Sequence, residues 1–231
     1  MKRFFAFMLV LSLLILCVAC RPDTADSKND KKEPDATPVV DPSISYTVSL
    51  PAVNEFTNFV QFTMEGGATF VVELYPEYAP QTVDNFQKLV YAGFYNGLTF
   101  HRIVEGFMIQ GGDPKGDGTG SSPIKIPGEF ASNGFSQNTL THERGVISMA
   151  RGNNLNSASC QFFIVHETPS SGLDGKYAAF GRVVAGMETV DAIANVKVTA
   201  QPYSGETSKP VRVPVIANVC FVNYVAPVPT A

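Results

Sequence analysis

The chain is expected to be mainly β, an antiparallel barrel or sandwich carrying two α-helices. Eight short segments have strand character, and only two have helical periodicity. Two helices are too few to supply the crossovers that parallel strands would need. A chain of 231 residues with 45% hydrophobic composition can bury one sizeable core, so a single globular unit is expected.

The N-terminus precedes that unit. Lys2 and Arg3 are followed by an apolar run over residues 4–18, broken by Ser12, and then by Ala19-Cys20. This is the pattern of a signal peptide. The run is shorter than the roughly 20 residues a membrane-spanning helix needs. The ending "CVAC" resembles a bacterial lipobox, with Cys17 where that motif most often has Leu. Cys20 is therefore expected to be acylated after cleavage and to anchor the protein in the cell envelope, with plain secretion as the alternative. Residues 21–43 are rich in Pro, Asp and Lys and nearly free of apolar residues before Val39. Such a stretch cannot bury enough to offset ordering and reads as a flexible tether. The expected organisation is a signal peptide over 1–19, a lipidated Cys and tether over 20–45, and a folded domain over 46–231.

From about Thr57 apolar residues alternate with polar ones. "NFVQFTMEGGATFVVELY" reads as two strands joined at Glu65-Gly66-Gly67-Ala68. "YAPQTVDNFQKLVYAGFY" places Val83, Phe86, Leu89 and Val90 at three- and four-residue intervals, with Pro80 near the start and Gly93 past the end. That spacing predicts an amphipathic helix of about three turns. Strand candidates follow at "TFHRIV", "FMIQ", "GVISMA", "QFFIVH" and "AAFGRVV". A short helix at "METVDAIANV" and a last strand near "VPVIANVCFVNY" complete the order.

Several functions are disfavoured. The formal charge of −4, with Lys and Arg scattered, offers no basic face for nucleic acid. Cys160 and Cys220 would be left after acylation, and their spacing favours neither a disulfide nor two free thiols. No Cys/His cluster has metal-ligand spacing, and no cofactor is expected. His101, His142 and His166 lie on separate elements without a nucleophile elbow or zinc motif, and read as structural. "GDPKGDGTG" lacks the ending of a phosphate loop and the ligand pattern of a calcium loop.

One stretch resists a purely structural reading. In "FHRIVEGFMIQGGD" Arg102 and Gln110 stand among Phe100, Ile103, Phe107, Met108 and Ile109. Together with "GVISMARGNNLNSASCQFFIVH" and "LDGKYAAFGRVVAGMETVDAI", this region resembles the cyclophilin family of peptidyl-prolyl isomerases, over roughly residues 57–225. The resemblance implies an eight-stranded antiparallel closed barrel capped by two α-helices, with the substrate groove on the outside of the wall. It implies that Arg102 is the catalytic group and that Phe107, Met108, Phe163 and Leu173 receive the proline ring. Tyr177 stands where many relatives have His. Gln110 would hold Arg102 and the substrate carbonyl, and Ala150 and Arg151 would form the edge that pairs with substrate backbone. The implied partners are Pro-containing unfolded or partly folded polypeptides; oligomeric state is open, with a monomer as the default expectation.

The resemblance departs in places. Gly172 stands where relatives that bind cyclosporin tightly usually have Trp, and the chain has no Trp. Tight cyclosporin binding is therefore not expected. Cys160 stands where a small residue is usual and is expected to pack. A two-residue turn at Glu105-Gly106 would put Arg102 and Phe107 on one face, and Met108 and Gln110 on the other. Their convergence thus requires a twist or bulge. A proline-peptide binding module would carry the same groove, because binding proline well is also what catalysis requires.

Overall fold

The computed structural model describes residues 47–50, 56–167, 172–202 and 204–227. The readings of residues 1–19, Cys20 and the tether lie outside them. In chain order the elements are β1 (Thr47–Ser49), β2 (Phe59–Met64), β3 (Thr69–Leu74), α1 (Pro80–Tyr91), β4 (Phe100–Val104) and β5 (Met108–Gly111). Then come β6 (Val146–Met149), β7 (Phe162–Val165), β8 (Ala179–Ala185), α2 (Met187–Ala194), β9 (Val198–Ala200), β10 (Thr207–Pro210), β11 (Ile216–Phe221) and β12 (Asn223–Val225).

Eight strands form one antiparallel sheet in the order β11-β2-β3-β8-β6-β7-β5-β4. They are the eight strand segments expected from the sequence. Two short ribbons, β1 with β12 and β9 with β10, were not expected. Their strands are three or four residues long, too short for alternation to register.

The sheet curls until its edges approach, and closure is approximate. No full ladder joins β4 to β11. Instead the Phe100 N–H donates to the Pro214 carbonyl (3.0 Å), the Gly97 N–H to Ile216 (2.7 Å) and the Ile216 N–H to Leu98 (2.8 Å). Pro214 has no N–H to return, which removes one rung at the seam.

Alternation of side chains across the wall separates two apolar layers. Ile103, Ile109, Ile164 and Ile147 are successive cross-strand partners on β4, β5, β7 and β6, and each is fully buried. They face the barrel interior, which Phe62, Phe86, Phe162 and Phe180 help to fill. The rings of Phe62 and Phe70 stack with centroids 4.6 Å apart. On the opposite face of the same strands, Met108, Val146, Phe163 and Val165 form a second cluster with Leu173 and Ala179. Every residue of β6 and β7 is therefore buried, although the strands are antiparallel.

Helix α1 buries Val83, Phe86 and Val90 as its periodicity requires. Pro80 opens it, where a missing N–H costs nothing. No neighbouring side chain caps it. The buried Glu129 carboxylate does so from 47 residues away, accepting from the Gln81 N–H (3.0 Å), the Thr82 N–H (2.8 Å) and the Thr82 hydroxyl (2.7 Å). A negative charge there also meets the positive end of the helix dipole. Cys160 and Cys220 are free thiols, the first buried and the second half-buried.

Candidate active site

The β4–β5 hairpin sets the site. Val104 pairs with Met108, so three residues, Glu105, Gly106 and Phe107, make the turn, not two. Gly106 takes φ 72°, a left-handed conformation natural to glycine. The third turn residue reverses the face assignment that a two-residue turn would give. Arg102 becomes the direct partner of Gln110, and Met108 lies two residues along on the same face. A bulge does occur, but on the other side of Arg102. Phe100 pairs with Gly111 and Arg102 with Gln110, which leaves His101 as the extra residue. The bulge lets Phe100 enter the core while Arg102, two positions on, faces out.

Pairing then extends the row. Gln110 is opposite Phe163, and Phe163 opposite Ser148. The structure thus brings Arg102, Met108, Gln110 and Phe163 together on the outer face. Met108 and Phe163 form the floor, 1% and 5% exposed, beside the buried Leu173. Phe107, Ala150 and Tyr177 are half-buried around them.

Hydrogen bonds fix the polar edge. Arg102 Nη1 donates to Gln110 Oε1 (3.0 Å) and lies 3.7 Å from Met108 Sδ. Gln110 Nε2 donates to Gln161 Oε1 (3.0 Å), and Gln161 Nε2 to the carbonyls of Gly118 (3.1 Å) and Gly120 (2.8 Å). A guanidinium only donates and a carbonyl only accepts, so the two ends of this chain dictate the orientation of both amides. On the other side of the guanidinium, Nε and Nη2 donate to the two oxygens of Glu206, each at 2.7 Å. Those Arg102 bonds hold the Glu206 carboxyl down at about 2, against the opposing pull of partial burial. Neither Gln161 nor Glu206 figures among the residues expected from the sequence. Gln161 stood inside a quoted motif, directly before the strand run. Glu206 lies 104 residues from Arg102 and gave no local signal.

Behind Phe163 a polar support is buried. The His142 ring stacks on Phe163 with centroids 5.8 Å apart, and the Tyr177 edge meets Phe163 at 5.7 Å. His142 is held by Asp174 Oδ1 (2.8 Å) and Ser148 Oγ (3.0 Å). Ser148, His142 and Asp174 follow the order of a nucleophilic triad, but Ser148 and His142 are fully buried, so no substrate reaches Oγ. They act as a brace. The turn has its own: the Gly106 N–H donates to His166 Nδ1 (3.3 Å), whose Nε2 lies 3.2 Å from Asp191 on α2.

Arg151 lies at the Tyr177 side. Its guanidinium sits 4.7 Å over the Tyr177 ring and 5.2 Å over Phe130, and donates to the Lys176 carbonyl. The Ala150 N–H donates to the Gln161 carbonyl (2.9 Å), which ties that edge to β7. Among the described residues no group of three or more His, Cys, Asp or Glu is placed to hold a metal ion.

The outer wall thus carries an apolar floor of Met108 and Phe163 with the Arg102 guanidinium at its edge. Residues 59–219 match the model of the family described as cyclophilin type peptidyl-prolyl cis-trans isomerase/CLD, and the chain belongs to that family of isomerase enzymes. Peptidyl-prolyl cis-trans isomerase B of Bacillus subtilis is 43% identical over 66% of this chain and 95% of its own length. The mouse peptidylprolyl isomerase domain and WD repeat-containing protein 1 is 48% identical over 57% of this chain, a stretch that makes up 20% of that protein. A Cryptosporidium parvum cyclophilin, crystallised in the presence of the dipeptide Ala-Pro, superposes with a TM-score of 0.60 at 29% identity. That superposition covers 70% of this chain and 97% of the other.

Burial has a pH consequence. It holds both His101 and His142 below the ordinary 6.5, against the opposing pull of Asp113 and Asp174 respectively. The folded chain therefore binds fewer protons than the unfolded one at mildly acidic pH. The stability involved is complete above the unfolded value and is lost as pH falls through the folded-state values. Urea midpoints are expected to drop between about pH 7.5 and about pH 5, with net proton uptake on unfolding near pH 6. A flat profile with no proton uptake contradicts this reading.

Proposed function

We propose that this chain accelerates rotation about X-Pro bonds in exported polypeptides, working from the outer barrel wall while tethered to a membrane through acylated Cys20. The observation that carries the catalytic part is the guanidinium of Arg102, braced at the edge of the Met108–Phe163 floor in one row with Gln110.

Rotating an X-Pro amide breaks C–N resonance against a barrier of about 18–20 kcal/mol. No σ bond breaks, so protein groups need only bind, orient and donate. As the bond twists, the proline nitrogen regains a localised lone pair and becomes a better acceptor than in the planar ground state. A donor aimed at it stabilises the transition state selectively. With the proline ring on Met108 and Phe163, Arg102 would lie beside that nitrogen, and Gln110, already bonded to the guanidinium, would also hold the preceding carbonyl. The reduced dielectric of the apolar floor strengthens each bond donated. Every 1.36 kcal/mol gained in the transition state alone is a tenfold rate increase. The Ala-Pro dipeptide used with the Cryptosporidium relative supports Pro-containing peptides as ligands. The signal-like residues 1–19, the "CVAC" ending and the polar stretch over 21–43 support the envelope location.

The test is exchange NMR on a short X-Pro peptide with wild-type protein and Arg102→Ala. The account expects wild-type exchange to fall by about 10²–10³-fold in the variant, the cost of losing one preorganised donor, with peptide affinity down by about tenfold or less. Wild type without acceleration, or a variant that keeps its rate, contradicts the assignment. For the anchor, Cys20→Ala expressed in a bacterial host is expected to move the protein from the membrane to the soluble fraction. Retention in the membrane fraction contradicts lipidation at Cys20.

A further inference from the structure

The isomerase reading assigns Arg102 its task but leaves open why a carboxylate should occupy two of its five donors. Glu206 comes from the far end of the chain, in the connection between β9 and β10. The Gln201 N–H donates to the Glu206 carbonyl (2.7 Å), which closes that connection, and Thr207 begins β10 directly after it. The carboxylate is itself held: the hydroxyl of the fully buried Ser208 donates to Oε2 at 2.7 Å. Arg102 and Glu206 meet in a two-bond fork with side chains 32% and 38% exposed. An ion pair so exposed adds little to stability. Its geometry matters more.

An arginine has five N–H groups in one plane. Glu206 takes one from Nε and one from Nη2, and Gln110 takes one from Nη1. Gln110 alone would leave the plane free to turn about the end of a side chain with high rotamer entropy. The fork fixes that plane. It spends the Nε edge on Glu206 and leaves the outer end of the guanidinium, where Nη1 lies 3.7 Å from Met108 Sδ, turned to the apolar floor. The opposing effect, partial neutralisation of the positive charge, matters less here. The twisting amide develops a directed lone pair without net charge, so direction outweighs field.

We propose that Glu206 is a positioning residue for X-Pro isomerisation, holding Arg102 through the Nε–Nη2 fork so that its remaining N–H groups meet the proline nitrogen. The proposal rests on the isomerase reading of the groove. It predicts that the β9–β10 connection, far from the other site residues in sequence, sets turnover and not peptide affinity.

Glu206→Gln and Glu206→Ala are compared with wild type by exchange NMR on an X-Pro peptide, with affinity measured by titration. Turnover is expected to fall about tenfold in Glu206→Gln, equivalent to about 1.36 kcal/mol, and further in Glu206→Ala, because Gln keeps one acceptor for the fork. Peptide affinity is expected to stay within about threefold, since the floor is untouched. The Arg102 Nε–H resonance is expected to shift and broaden in both variants, a change that mere loss of stability would not produce in a folded domain. Ser208→Ala keeps the carboxylate and loosens it, and is expected to lower turnover by about two- to fivefold. It carries the test if the Glu206 variants fail to fold. Turnover at or above the wild-type level in folded variants overturns the proposal, and a rise would show that the carboxylate restrains Arg102. A wild type that does not accelerate exchange would instead sink the isomerase reading itself.

Discussion

Three residues separate the paired Val104 and Met108, and that number sets the register of β4 on β5. Side chains alternate along a strand, so a slip of one residue would exchange the two faces of the wall. Arg102 would then point among Ile109, Ile164 and Ile147, and the isoleucines of the interior would face water. The register is held from both sides. Within the barrel the isoleucine row fills the core, and outside it Gln110 links Arg102 to Gln161. Gly106 at φ 72° permits the turn, and the bulge at His101 returns Phe100 to the core without moving Arg102 from the outer face. Hydrophobic burial thus positions Arg102 on the outer face.

The apolar floor is supported by paired polar groups. His142 is fully buried yet bonded at both ring nitrogens, to Asp174 and Ser148, and so supports Phe163 without an unsatisfied polar atom. Gln161 serves Arg102 indirectly by ordering the Gln110 amide from the carbonyls of the 118–120 loop. A half-satisfied network in such a position would cost more than an apolar one, because unpaired buried groups carry their full desolvation penalty. His101 is the contrast. It lies next to Arg102 with both ring nitrogens buried and unpaired, and burial holds its pKa below the ordinary value.

Much of the fold was legible in the sequence because its signals are local. Period-two alternation marked the first hairpin, short apolar runs marked the other six strands of the barrel, and Val83, Phe86 and Val90 marked α1. Residue types alone did not mark the site. Arg102, Met108, Gln110 and Phe163 were singled out by resemblance to a family, and an ideal two-residue turn argued against their meeting. The loop length decided the matter, and Glu105-Gly106 does not reveal it, since Gly106 fits the second place of a three-residue turn as well as that of a two-residue one. Glu206 was out of reach for a different reason. Its bond to Arg102 spans 104 residues, and the short ribbon that carries it has no apolar period. Glu129, which caps α1 from 47 residues away, was hidden in the same manner.

Isomerisation at this site requires that the outer face of the β4–β5–β7 wall receive proline. The most direct measurement is a crystal structure of the domain with an X-Pro peptide bound. The predicted result is a proline ring against Met108 and Phe163 with an Arg102 N–H directed at its nitrogen. A peptide seated anywhere else on the domain, or on this face with Arg102 turned away, would contradict the account.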